Sequence, residues 1–473
     1  MPLILSTCRI LTAAILLHCG PVAVRADVRP ASGLEDGPFR HIQALQGIAA
    51  ANGDNRAAGT SGYDLSARYV ADQLRSAGYT VQLEEFTFPF FEERSPPVLA
   101  ADLASPGSYT PPPEALRTLR NSGSGDVTAR LQEVALDLDE GPARPSTSGC
   151  RQEDFAGFAR GNIALIRRGT CPFQSKVEHA QAAGAAGVII MNQGTEGQTG
   201  AFTGTLRTPA AVPVLGVTTE VGSKLAVAGR EANGIEIRLR IDAEAGTRST
   251  HNVTAERGKT DGSLVVVGAH LDSVSEGPGM NDNASGSAAV LEAALRLAGE
   301  PATDVPIRFA FWGAEERGLL GSRHHLDTLS EEERRRIVLY INLDMVGSPN
   351  FGRFIQLTQE TNNAFVASTV GFLTDYFREN NLPVEERIGS PRGFSSDNAS
   401  FATKGIPTVS LFTGAGGTKD AAHAQRFGGT AGQPFDPCYH KACDTEQNVD
   451  RQVLEQITDA LTSALRRLTP LPH

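Results

Sequence analysis

The sequence predicts an α/β fold in which a mixed, mainly parallel sheet is covered by helices on both faces. From about residue 245, strand-like apolar runs alternate with helix-like runs, a pattern typical of such sheets. Runs such as "LVVVGA" and "FAFW" are apolar throughout, as expected for strands buried on both faces. Polar residues follow these strands directly, and ligands of α/β sheets bind beyond the carboxyl ends of the strands.

The N-terminus predicts a signal peptide over residues 1–26. Its apolar run is interrupted by Arg9 and is short for a membrane span, which needs ~20 apolar residues. Val24, Arg25 and Ala26 form a small-residue cleavage pattern. We therefore expect a secreted protein, extracellular or periplasmic, cleaved near Ala26 and without a stable membrane span. The alternative is an uncleaved anchor helix.

In a secreted protein, the cysteines that remain after cleavage are expected to form disulfides. Four stay after cleavage near Ala26: Cys150, Cys171, Cys438 and Cys443. An even number in an oxidising compartment predicts two disulfides. The local pairs Cys150–Cys171 and Cys438–Cys443 are the simplest of the three connectivities. The sequence contains no CxxC pair, so it gives no sign of a structural zinc site held by cysteines.

Residues 27–109 are predicted to form the first part of the main domain and a linker. "FRHIQALQGIAAAN" and "SGYDLSARYVADQLRSAG" have apolar residues at helical spacing, and "YTVQLEEFTFPFF" alternates like a strand. The stretch from Ser95 to Asp126 is dense in Pro, Ser and Gly, which predicts a loop-rich crossing into another domain.

Residues 110–243 form a second predicted domain with short strands and few helices. Strand-like "GNIALIRRGTCPF" and "VIIMNQ" flank an Ala-rich helical run, and "VPVLGVTTEVGSKL" reads as a strand followed by a helix. The series "RRGTCPF…K…A…GAAGVII" resembles the protease-associated domain, a small β-rich module often inserted in secreted peptidases. The resemblance implies an inserted domain of that type.

Residues 244–473 continue the main domain. The formal net charge is -11, and no stretch is dominated by basic residues. We therefore expect no nucleic-acid partner. Metal-type ligands stand at four separate strand ends or loops: His270 with Asp282, Glu315 with Glu316, Asp344, and His440.

The number and type of these ligands indicate a metal pair. Two imidazoles and three carboxylates without thiolates suit zinc or another borderline divalent ion. Five side chains exceed what one tetrahedral ion takes, whereas two ions that share one bridging carboxylate use all five. Such ions would make hydroxide available near neutral pH.

The blocks "HLDS…GPGMNDNASG", "FWGAEERGLLGS", "NLDMVG", "SSDNASF…GIPTVSLFTGAGGTKD" and "DPCYHKACDT" resemble the secreted di-zinc aminopeptidases of metallopeptidase family 28, of the leucine aminopeptidase type. The resemblance covers residues 38–91 and 245–470, on either side of the predicted inserted domain. The resemblance implies the zinc-exopeptidase fold, two Zn²⁺ ions, and peptide or protein substrates with a free N-terminus. We expect a monomer.

The resemblance also implies individual roles. His270 and Asp344 would bind one zinc, Glu316 and His440 the other, and Asp282 both. Glu315 falls at the position of the general base and Tyr439 at that of a hydroxyl that stabilises the oxyanion. Asp272 would hold the His270 ring. Family members have a cis peptide after the bridging Asp, here Asp282–Asn283.

One block departs from the family pattern. Many relatives have an Arg in an "RSD" block near the substrate, whereas this chain has Ser395, Ser396 and Asp397, with Arg392 three residues earlier. Arg392 is a candidate replacement for the missing contact. Phe412 in "VSLFTG" indicates an apolar substrate pocket and hence apolar N-terminal residues.

Three functional alternatives differ from an aminopeptidase. A carboxypeptidase or dipeptidase of the same fold would need a basic pocket and usually a further helical domain. A receptor-like relative without catalysis would lack metal ligands or Glu315. A single-zinc glutaminyl cyclase suits the sequence less well, because ligand residues are present for both metal positions.

Overall fold

The computed structural model describes residues 37–102, 107–138, 145–231, 234–258, 262–301, 305–357, 363–388 and 396–468. The predicted signal peptide lies outside these ranges. The helices are α1 Phe39–Ala50, α2 Ser61–Ser76, α3 Phe173–Ala182, α4 Thr219–Gly229, α5 Ser285–Ala298, α6 Leu320–Thr328, α7 Glu331–Arg336, α8 Ala364–Glu379, α9 Asn398–Thr403, α10 Ala421–Phe427 and α11 Arg451–Arg466. The strands are β1 Thr80–Asp102, β2 Ser108–Tyr109, β3 Leu116–Thr118, β4 Gly125–Glu133, β5 Ile163–Arg167, β6 Gly187–Met191, β7 Val214–Val217, β8 Glu236–Arg257, β9 Leu264–His270, β10 Ile307–Trp312, β11 Ile337–Leu343, β12 Phe354–Leu357, β13 Glu385–Ile388 and β14 Thr408–Phe412.

The main sheet has the strand order β13-β12-β14-β11-β9-β10-β8-β1. Strands β10, β9, β11 and β14 run parallel, as do β12 and β13, whereas β12 against β14, β8 against β10 and β1 against β8 are antiparallel. The predicted mixed, mainly parallel sheet is therefore confirmed. Parallel strands end on the same edge of the sheet, so the residues after β9, β10 and β11 lie near one another.

Helices cover both faces of this sheet. On one face, α1, α2, α5, α8 and α11 enclose the larger core. The small residues at the start of α5 allow it to be buried on nearly all sides. On the other face, Trp312 of β10 and Tyr340 of β11 pack against Phe401 of α9, in a cluster that α6 joins through Leu326. The strand ends are thus held between two packed layers, which fixes the direction of the side chains that follow them.

The strands between β1 and β8 in sequence form the second part of the structure. The first half of β8 pairs with β4, and from there the strand order continues as β4-β5-β6-β7-β3. Helices α3 and α4 lie on opposite faces of this sheet over separate apolar cores. The two parts share the long antiparallel pair β1 and β8, so one hydrogen-bonded ribbon joins them.

The loop-rich crossing predicted from Ser95 is wrong in its first part. Strand β1 continues through this region to Asp102, paired with β8. The register shifts on either side of Ser95, next to Pro96 and Pro97. Proline has no N–H for the ladder, so the pairing bends around these residues without ending.

Both local disulfides are present, Cys150–Cys171 and Cys438–Cys443. None of the helices in the described ranges combines the length and apolar character that crossing a bilayer requires.

Candidate metal centre

Three neighbouring parallel strands supply four of the predicted site residues. His270 is the last residue of β9, Glu315 and Glu316 follow β10, and Asp344 follows β11. His270 is in register with Trp312, the last residue of β10. The strand ends therefore bring one imidazole and three carboxylates to the same edge of the sheet.

Asp282 reaches this edge from the segment that precedes α5. The peptide bond Asp282–Asn283 is cis, and both residues have non-helical backbone angles. The Asn283 side chain donates to Leu343 O at 2.9 Å and accepts from Gly286 N at 2.8 Å. A Cβ at Gly286 would lie 2.4 Å from Leu343 O. A small residue here lets α5 begin against the end of β11, so Asp282 faces the strand ends.

The first group of candidate ligands is His270, Asp282 and Asp344. His270 Nε2 lies 3.3 Å from Asp282 Oδ1 and 3.5 Å from Asp344 Oδ1. Two ligand atoms that are each about 2.0–2.2 Å from a tetrahedral ion are about 3.3–3.6 Å apart. The separations in this group therefore fit one zinc ion.

The second group is Asp282, Glu316 and His440. His440 Nε2 lies 3.1 Å from Asp282 Oδ2 and 3.3 Å from Glu316 Oε2. Asp282 thus turns one oxygen to each histidine and belongs to both groups. This is the arrangement that a bridging carboxylate between two ions requires.

Unpaired acceptors and excess negative charge also favour cations here. Glu316 Oε1 and Asp344 Oδ1 are buried and accept no hydrogen bond within the part of the chain that the structure describes. Burial, together with the carboxylate of Asp282, raises the pKa of Glu316 to about 7. Buried carboxylate oxygens that accept no hydrogen bond are costly, and bound cations relieve that cost.

Glu315 lies beside the two groups of ligands. Its Oε2 is 3.9 Å from His270 Nε2, and the residue is 9% exposed. Burial raises the pKa of Glu315 well above its ordinary value; His270 opposes this rise, and the carboxylate of Asp397 adds to it. A carboxyl with a raised pKa is suited to taking up and returning a proton near neutral pH.

Asp272 makes further contacts besides the one with the His270 ring that the resemblance implies. His270 Nδ1 lies 3.1 Å from the Asp272 backbone oxygen, whereas the Asp272 carboxylate is 3.6 Å away. That carboxylate accepts hydrogen bonds from the backbone N–H groups of Glu315 at 3.1 Å and Glu316 at 3.3 Å. The Asp272 carboxylate therefore positions the two glutamates and also faces the His270 ring, while the Asp272 carbonyl contacts the same ring nitrogen.

The loop with Tyr439 and His440 is held by the predicted disulfide and by a contact that sequence reasoning missed. The Cys438–Cys443 disulfide encloses both residues. The buried carboxylate of Asp444 accepts from the backbone N–H groups of Asn281 at 2.9 Å and Asp282 at 3.0 Å. Asp444 therefore joins the His440 loop to the bridging aspartate. Only its position four residues after His440 could have drawn attention to it.

A cavity of about 410 Å³ opens over the candidate ligands. Its wall includes Met345, Leu411, Phe412 and Tyr439. The Tyr439 ring stacks on His440 with 3.9 Å between centroids. Burial and the nearby carboxylates raise the pKa of Tyr439 above its ordinary value, so the phenol keeps its proton.

The block that departs from the family pattern, Ser395 to Asp397, lies partly outside the described residues. Arg392 and Ser395 lie outside the described residues. Ser396 lines the cavity and accepts a hydrogen bond from Asn342 at 3.1 Å, and Asp397 is buried.

We predict that Gly277→Ala weakens the second ligand group. A Cβ at this position would lie 2.3 Å from the backbone oxygen of Lys441 and would force the His440 loop away from Asp282. We expect roughly tenfold weaker zinc binding at this ligand group, measured by chelator competition. Gly47→Ala is the control, because its Cβ meets no atom within 4 Å; this exposed helical site should gain up to about 1 kcal/mol in unfolding free energy. Unchanged zinc binding in Gly277→Ala would contradict the prediction.

Known proteins share this architecture. The family "Peptidase family M28" matches residues 252–465, and "PA domain" matches residues 128–225. An aminopeptidase of Pseudomonas aeruginosa is 42% identical over 431 residues, which cover 89% of this chain and 78% of that protein.

Two solved structures are similar along most of their length. The aminopeptidase from Aneurinibacillus sp. strain AM-1 has a TM-score of 0.59 and 28% identity, and the match covers 90% of this chain and 92% of that one. A zinc aminopeptidase from Bacillus subtilis has a TM-score of 0.58 and 26% identity, with 92% and 96% covered. The chain therefore belongs to peptidase family M28, as an aminopeptidase with an inserted protease-associated domain.

Proposed function

We propose that this protein is a secreted aminopeptidase that uses two zinc ions to release apolar N-terminal residues from peptides. The observation that carries the proposal is the pair of ligand groups that meet at Asp282. His270 and Asp344 would hold one ion, Glu316 and His440 the other, and Asp282 both. When bound, zinc acts as a Lewis acid and lowers the pKa of water.

Glu315 is proposed as the general base. It lies next to both ligand groups without belonging to either, and it faces the cavity. In that position it can take a proton from the attacking water and pass it to the leaving amine. Asp272 supports this role, because its carboxylate holds the Glu315 backbone N–H.

Tyr439 is proposed to stabilise the oxyanion. Its phenol faces the cavity and keeps its proton, so it can donate a hydrogen bond to the substrate carbonyl oxygen as negative charge develops there. The stacked His440 ring restricts the movement of the phenol ring. A donor held in place before the reaction needs no reorganisation during it.

The substrate preference follows from the walls of the cavity. Carboxylates, including Glu315 and Asp344, can receive a free α-ammonium group, which an acylated peptide lacks. Met345, Leu411 and Phe412 provide apolar contacts for the first side chain. An apolar residue with a free amino group is therefore the proposed substrate end.

Secretion is proposed from the N-terminal pattern, and the two disulfides are compatible with an oxidising compartment. That the protein is a monomer stays a prediction.

A leucine anilide and its N-acetyl derivative test the proposal. The free anilide should be cleaved and the acetylated one should not, because acetylation removes the positive charge that the carboxylates receive. A series of aminoacyl anilides then tests the apolar preference, with Leu, Met and Phe expected above Asp and Lys. Equal cleavage of the free and acetylated compounds would rule out an aminopeptidase mechanism.

A further inference from the structure

We propose that Arg56 is a positioning residue that sets the zinc affinity of the site by fixing the loop between two metal ligands. The inference rests on the proposed two-zinc function. Arg56 lies in the turn between α1 and α2, more than 200 residues before His270 in sequence, and its side chain is completely buried. Its guanidinium hydrogen bonds go to backbone carbonyls and not to the side chains of candidate ligands. Its effect is therefore exerted through the backbone.

The guanidinium group makes hydrogen bonds to three backbone carbonyls of one loop. Nε donates to Pro278 O at 3.0 Å, Nη2 donates to Gly279 O at 2.8 Å, and Nη1 donates to Leu271 O. All three acceptors belong to residues 271–279, which connect His270 to the Asp282 segment. The planar guanidinium therefore joins the two ends of this loop across a fixed distance.

The Arg56 backbone contacts the same loop. Its N–H donates to Ser273 Oγ at 2.9 Å, and its carbonyl accepts from Ser273 N at 3.3 Å. The Ser273 hydroxyl also lies 3.0 Å from Gly277 O. The loop is thus held at its beginning, middle and end by one residue of the N-terminal segment.

These contacts are adjacent to the ligands. Leu271 directly follows His270, and Gly279 comes three residues before Asp282. The 3.3 Å separation between His270 Nε2 and Asp282 Oδ1 depends on where both ends of the loop are held. Residues that hold metal ligands through hydrogen bonds typically change metal affinity 10- to 100-fold when they are replaced.

The charge of Arg56 affects the metal-free protein. Burial lowers the pKa of Arg56 to about 10, while the carboxylates of Asp272, Asp444 and Asp282 oppose this effect, so the group remains cationic at neutral pH. A positive charge behind these carboxylates lowers the repulsion among them when zinc is removed. Arg56 should therefore keep the loop in its metal-binding conformation in the metal-free protein.

Arg56→Lys tests the geometry with the charge retained, since an ammonium group cannot reproduce the planar three-carbonyl contact. The matched control is Arg353→Lys. Arg353 is also buried, and it donates to Gln456 Oε1 of α11 at 3.0 and 2.6 Å, away from the loop. The measurements on the full chain are circular dichroism of the metal-free protein, its unfolding temperature, and zinc dissociation constants from chelator competition.

We expect Arg56→Lys to bind zinc 10- to 100-fold more weakly while Arg353→Lys binds as the wild type does, even where both variants lose similar stability. Excess zinc should restore much of the lost turnover of Arg56→Lys. Wild-type zinc affinity in a folded Arg56→Lys would overturn the inference. If Arg56→Lys does not fold, Ser273→Ala tests the same loop. We expect this variant to bind zinc at least threefold more weakly, and wild-type affinity would overturn the inference. A wild-type protein that fails to bind two zinc ions would instead contradict the proposed function.

Discussion

Glu315→Gln should retain two zinc ions per chain and lose about 10²–10⁴-fold in kcat. Glutamine has nearly the same size and keeps the backbone N–H that donates to Asp272. It cannot accept a proton from water or deliver one to the leaving amine. The two ligand groups do not include this side chain, so metal binding should be unaffected. Zinc analysis of the purified variant and its turnover of leucine anilide check both parts.

The neighbouring residue provides the control. Glu316→Gln makes the same chemical change one position further along, at a side chain whose Oε2 lies 3.3 Å from His440 Nε2. We expect this variant to lose one zinc ion, and added zinc should partly restore its activity. The two variants therefore separate proton transfer from metal binding. Normal turnover by Glu315→Gln, or loss of zinc from it, would be incompatible with a general base.

The strand-end residues could be predicted from sequence because the physical rule is local. A fully apolar run such as "LVVVGA" predicts a buried parallel strand, and the carboxyl ends of such strands meet at one edge. His270 and Asp344 directly end or follow β9 and β11, so strand order alone brings them together. His440 is a candidate ligand by residue type, whereas the resemblance to a known family supplied its pairing with Glu316 and the role of Tyr439, because both residues lie in a loop without regular periodicity.

The supporting contacts could not be predicted in the same way. Arg56 and Asp444 act through backbone groups of distant residues, and a backbone carbonyl or N–H leaves no trace in residue type. The Asp272 carboxylate lies 3.6 Å from His270 Nδ1, but its hydrogen bonds to the N–H groups after β10 could not be predicted, since they depend on the adjacent strand end. The continuation of β1 past Pro96 depends on pairing with β8, a partner more than 130 residues away.

Asp282→Asn should remove most zinc binding from both ligand groups. The two Asp282 oxygens face different histidines, with Oδ1 3.3 Å from His270 Nε2 and Oδ2 3.1 Å from His440 Nε2. Asparagine offers one neutral oxygen and places an N–H₂ donor where the second acceptor was. We expect less than one tightly bound zinc ion per chain and a loss of turnover at least as large as that of Glu315→Gln.

The same variant should lose the stabilisation that zinc gives. A ligand present at about 1,000 times its dissociation constant stabilises the folded state by about 4 kcal/mol, so zinc should raise the unfolding temperature of the wild type by several degrees. Asp282→Asn should show little of this rise. Asp327→Asn is the control, because its exposed carboxylate pairs with Lys404 and lies in neither ligand group. Asp282 also pairs with both histidines when zinc is removed, so its replacement can lower the unfolding temperature without any effect of zinc. The quantity to compare is therefore the difference in unfolding temperature between zinc-loaded and chelator-treated samples of each variant. A full zinc-dependent rise in Asp282→Asn would mean that the two groups bind their ions independently of a shared carboxylate.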